Sequence, residues 1–143
     1  MSVDRVVPDE SDLDLKRSFT DLSLPESAFT HENHLRLGWV YIVSYPLSDA
    51  VDLFAEDLKT YATHVGASKK FNMTITWFYI MMINERQQRL AAKSWESFKT
   101  NSPKLFAPYK TLLSRRFSDT VLNSEKARLE VVLPDLQSNL VVG

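Results

Sequence analysis

The chain has no cysteine, only three glycines and six prolines among its 143 residues. The first absence excludes disulfides, thiolate nucleophiles and zinc–sulfur centres. The scarcity of glycine and proline argues against sandwiches and barrels, which need many tight turns. It also excludes, in standard form, a phosphate-cradling glycine loop, a nucleophile elbow and a dinucleotide fingerprint. Long apolar runs are missing too. The longest, residues 75–83, is interrupted by Thr76 and falls far short of the roughly 20 residues that span a bilayer. The first 20 residues carry acids throughout and no apolar stretch, so no secretory leader is expected. These absences together predict a soluble, cytoplasmic protein with no membrane partner.

What is present fits one globular domain. Hydrophobic residues make up 44% and charged residues 24%, enough to bury a core at this length. The net charge of −1 is unevenly spread: residues 1–68 sum to −7, 69–116 to +8 and 117–143 to −2. A basic block can serve an anion or a nucleic acid. Here the bases are dispersed, which favours an acidic half facing a basic half, and no nucleic-acid partner is expected.

Residues 1–25 lack periodicity and are rich in Asp, Ser and Glu. They read as an extended or flexible arm with at most a short turn around residues 13–19. Residues 26–143 read as a single helical domain. Thr30 is a good N-cap, with Phe29 at the staple position, and the helix that follows ends at Pro46. Ser48 is the expected cap of the next helix, whose Val51, Phe54, Ala55, Leu58, Ala62 and Val65 keep a 3.6 period up to Gly66. Residues 70–90 are apolar nearly all round and favour one long central helix. Ser102-Pro103 opens a helix expected over 103–117, and Ser124 caps a last turn before an irregular tail from Pro134. The fold predicted is an all-α, compact bundle of four to five main helices with an irregular N-terminal arm and C-terminal tail.

Two of the three histidines, His31 and His34, stand three residues apart at the start of a helix. That spacing turns both imidazoles toward one side. It suits a metal pair, a proton-handling pair, or two polar anchors of a pocket. Completing a metal set would need Glu32, His64 or Glu85. The pattern is not His-Glu-x-x-His, and Glu32 points away from both rings. His64 is explained by its place near a helix C-terminus, where a cationic imidazole is favoured. Asn72, Thr76 and Tyr79 form a polar stripe on the greasy 70–90 helix and must find partners, because an unpaired buried polar group costs about 1–3 kcal/mol. Trp39 and Trp77 can wall a pocket or simply pack in the core.

The stretch Phe29-Thr30-His31-x-x-His34-Leu35-Arg36-Leu37-Gly38-Trp39, with Lys70-Phe71-Asn72-Met73-Thr74-Ile75-Thr76-Trp77, Ser124-x-x-Ala127-Arg128 and Pro134-Asp135-Leu136, resembles a family of small bacterial all-helical proteins marked by F-x-H-x-x-H-L-x-L-[AG]-W. The resemblance spans residues 25–137 and brings no established activity. The family pattern reads His-Glu where this chain has Asn72-Met73, so it implies a remodelled pocket here rather than a shared metal site.

Three functional expectations follow. The first is a helical domain with a small-molecule pocket between the helix starting at His31 and the 70–90 helix, with enzymatic activity left open. In it His31 and His34 are the catalytic, proton-transferring candidates, Asn72, Thr76 and Tyr79 orient the ligand, and Trp39 and Trp77 are apolar walls. The second is a non-catalytic interaction or self-assembly module, a homo-oligomer among its forms. The third is a metal-dependent enzyme. No cofactor is specified by the sequence.

Overall fold

A computed structural model describes residues 6–136, with the backbone only at Tyr109 and Lys110. Within those residues the chain is all-α, with eight helices, no strand, and four helices of seven or more residues. The fold class therefore agrees with the expectation.

The first helix, α1 (Glu10–Thr20), corrects the expected arm. Asp9 caps it by accepting from Asp12 N at 2.8 Å, while Asp12 Oδ2 accepts from Asp9 N at 2.9 Å. The acids that read as disorder are thus a reciprocal capping box placed at the positive end of a helix dipole. The helix delivers Phe19 to the core, where it is fully buried against Phe29, Tyr41, Phe54 and Tyr61. Asp12 is buried as well and receives Arg36 from the next helix.

That helix, α2 (His31–Ser44), is central and packs on α1, on α3 (Leu47–His64) and on α4 (Met73–Leu90). Thr30 caps it as expected, its hydroxyl accepting from Asn33 N at 3.1 Å. Residues 37–42 are all buried, which explains its broad apolar surface. Gly38 permits the close approach of α2 and α4, since a Cβ there would lie 2.8 Å from Ile83 Cδ1.

Helix α3 starts one residue before Ser48, behind Pro46, so Ser48 lies inside the first turn and makes no cap. At its other end Gly66 takes φ +77, and Ala67 N reaches back to Ala62 O at 2.7 Å. This is a Schellman ending, for which glycine has no steric penalty. Helix α4 begins after a 3₁₀ turn, Ser68–Lys70, and is capped by Asn72. It ends at Ala91 in the left-handed region.

The helix expected over 103–117 is broken. Residues Pro103–Phe106 form a 3₁₀ turn and only Tyr109–Leu113 is α-helical. Pro108 supplies the reason: it has no N–H and drives Ala107 to ψ 157, an extended conformation. With α5 (Trp95–Thr100) before it, this short helix is α6. Two further turns, α7 (Asp119–Leu122) and α8 (Glu125–Leu129), are capped by Ser118 and Ser124. The tail beyond them is irregular but tied down. Thr74 Oγ1 donates to Glu130 O and accepts from Val132 N, and Leu136 N donates to Arg116 O at 3.0 Å.

Candidate functional site

A cavity of about 720 Å³ opens between the start of α2, the second half of α3 and the start of α4. Leu122, Asn123, Ser124 and Arg128 close its fourth side. Three of the residues expected at a site line it: His34, Asn72 and Thr76.

His34 is half-buried, its ring 5.0 Å from that of Phe29 and 5.9 Å from that of Phe54. Neither ring nitrogen has a hydrogen-bond partner among the described residues. Desolvation, reinforced by the nearby His31, holds its pKa down at about 4. The imidazole is therefore neutral at physiological pH, with one nitrogen that donates and one that accepts. Such a weak base is poorly matched to proton abstraction near pH 7. It is well suited to hydrogen bonding.

Asn72 and Thr76 line the cavity with much of their hydrogen-bonding capacity already used. Asn72 Oδ1 accepts from Ile75 N, and its Nδ2 donates to Leu122 O, both at 2.9 Å. The Thr76 hydroxyl donates to Asn72 O at 2.8 Å. Asn72 thus joins two segments fifty residues apart, a role its position in the sequence did not reveal.

The other expected site residues lie elsewhere. His31 is exposed, and its Nε2 sits 3.1 Å from Leu105 O, with its ring edge-on to Tyr79 and Phe106. The two imidazoles thus meet different neighbours, His31 turning to Leu105, Tyr79 and Phe106 and His34 to Phe29 and Phe54. A three-residue step rotates by about 300° on a helix, which leaves the two directions some 60° apart. Tyr79 is buried on the His31 side. Trp39 is wholly enclosed, its indole N–H donating to Gln87 Oε1 at 2.9 Å, and it belongs to the core. Trp77 is 37% exposed and lies instead in a second, open groove of about 1340 Å³ with Phe78, Met81, Met82, Arg115 and Arg116.

The proposed metal set does not assemble. Among the described residues no three His, Asp or Glu side chains are grouped to hold an ion. Glu32 pairs with Lys99 at 2.9 Å and Glu85 with Arg89 at 3.5 Å.

Lining residues that sequence reasoning did not assign to a pocket include Lys69, Lys70 and Arg128 at the mouth and Phe29, Phe71 and Tyr61 in the wall. One local clue was present: a Lys-Lys pair immediately before the Phe71-Asn72 helix start puts two cations beside the positive end of a helix. Comparison with family models, curated proteins and solved structures finds no match to this chain.

Proposed function

We propose that this protein is a small-molecule-binding helical domain whose ligand occupies the cavity between the starts of α2 and α4. The single observation that carries this reading is His34: a desolvated, neutral imidazole in a cavity wall with no protein partner among the described residues. A ligand that hydrogen-bonds to this ring supplies the partner that the protein does not. The cavity volume of about 720 Å³ lies within the roughly 300–1,000 Å³ usual for small-molecule sites. Asn72 and Thr76 stiffen the adjoining wall.

Titration with 2-naphthamide, read on the ¹⁵N resonances of the His34 ring, tests the reading. Saturable shifts that disappear in Ile75→Trp and in Ala62→Phe, both wall positions, are the expected result. Absence of shifts, or shifts indifferent to a filled cavity, overturns it.

A second reading, a protein-interaction or self-assembly module, draws support from the α4 face. Trp77 is partly exposed there beside Met81 and Met82, side chains common on adaptable binding surfaces. Sedimentation velocity at rising concentration tests it: self-association weakened by Trp77→Ser supports assembly, and a strict monomer counts against self-assembly.

A further inference from the structure

We infer that the cavity takes an apolar organic monoanion, its carboxylate at the mouth against Lys69 and Lys70 and its body along the apolar wall. This rests on the ligand-binding reading of the same cavity and adds the chemical class of the ligand.

The wall is built for an apolar body. Phe29, Leu58, Phe71, Ile75 and Leu122 come from four separate segments of the chain and all face the space. Leu58, Phe71 and Leu122 are otherwise buried, so the space adjoins the hydrophobic core. An aromatic or branched aliphatic body would complete that surface and gain roughly in proportion to the apolar area it removes from water.

Charge at the mouth is of one dominant sign. Lys69, Lys70 and Arg128 line the cavity against a single acid, Glu26. The three cations are not equivalent. Arg128 is already engaged, with Nη2 2.8 Å from Glu125 Oε2 and Nη1 donating to Ser68 O at 3.3 Å. Lys70 has no ion pair or hydrogen bond from its ammonium among the described residues. Lys69 has no ion pair there either and lies only in the longer-range field of Glu125. Both lysines directly precede Phe71 and Asn72, so they stand at the positive end of the eighteen-residue α4. Two ammonium groups without ion pairs and the positive end of a helix dipole thus border the same cavity.

His34 limits the polar groups that the ligand can carry besides its charge. Its uncharged ring is matched to a neutral carbonyl, hydroxyl or ring nitrogen, because a second anion would have to be desolvated against Phe29 and Phe54 without a counter-charge. One charge facing the lysines and a neutral polar group facing His34 describe a monoanion.

Isothermal titration of the full chain with 2-naphthoate and its neutral isostere 2-naphthamide tests the class. The carboxylate is expected to bind about tenfold more tightly at low salt, the combined worth of two partly exposed ion pairs. That preference should shrink to about twofold or less in Lys69→Gln/Lys70→Gln and in high salt, which screens exposed charge, with amide affinity unchanged. Equal binding of the two probes to the wild type overturns the monoanion class while leaving a ligand cavity in place. A preference that survives in the double variant overturns the assignment of the lysines. If neither probe binds, the ligand-binding reading itself fails.

Discussion

Arg36 of α2 grips Asp12 of α1: its Nη2 lies 2.6 Å from Asp12 Oδ1 and its Nε donates to the same oxygen at 2.7 Å. The aspartate side chain is only 2% exposed. Removing the arginine strands a buried carboxylate, which typically costs about 3–5 kcal/mol. Arg36→Met should therefore lower stability in urea by about 3 kcal/mol, and Asp12→Asn added to it should restore part of the loss because the stranded group is then neutral. A loss below about 1 kcal/mol for Arg36→Met would show that the pair does not hold α1 in place.

Phe19 and Leu13 share α1 but differ in environment. Phe19 is fully buried among four aromatic rings, whereas Leu13 is 40% exposed. Phe19→Ala is expected to cost about 3–5 kcal/mol. Leu13→Ala should stay within about 0.5 kcal/mol. Equal effects in thermal melts would mean that α1 is not part of the cooperative core.

His34 should make stability depend on pH. Its pKa is about 4 in the folded protein against an ordinary 6.5. Between those values the unfolded chain binds more protons, so stability rises with pH across that window and falls as pH drops from 6.5 toward 4, levelling below it. The loss is of order 3 kcal/mol. His34→Phe should flatten this segment of the profile. The acids held below the ordinary range, Asp9, Asp21, Glu125 and Asp135, add to the loss only from about pH 5 downward, where the unfolded carboxylates begin to bind protons, so the upper part of the window reports His34. An unchanged slope in His34→Phe would assign it to another group.

Gln87 joins two buried partners, accepting from Trp39 Nε1 and donating to Ala92 O, both at 2.9 Å. Gln87→Met keeps the volume and strands an indole N–H and a carbonyl. Destabilisation of about 1–3 kcal/mol is expected, with a change in near-ultraviolet circular dichroism from the altered setting of Trp39. Wild-type stability in this variant would mean that water or backbone movement satisfies both groups.

Much of the secondary structure was legible because its causes are local. Thr30 caps α2, Gly66 takes the left-handed conformation that ends α3, and Ser124 caps the last turn. Each depends on a few neighbouring residues and on backbone sterics. Where local cues compete, sequence reading went astray. Acids at residues 9–14 suit both a disordered arm and a capped helix, and burial of Phe19 and Asp12 decided between them. Ahead of Pro108, the apolar spacing of residues 103–117 suggested a helix that the ring excludes.

The candidate site shows the same division. The chain alone placed His34, Asn72 and Thr76 near the starts of two helices, since caps and periodicity locate those starts. It could not show that His31 leaves for Leu105, that Trp39 is bonded to Gln87, or that Lys69 and Lys70 share a mouth with Arg128. Those relations join residues about fifty or more positions apart, and they arise only when helices settle at the distances and rotations that bury the most apolar surface. Helical periodicity specifies which face of each helix turns inward. Packing specifies which inward-facing groups meet, and which, like His34, keep no hydrogen-bond partner among the described residues.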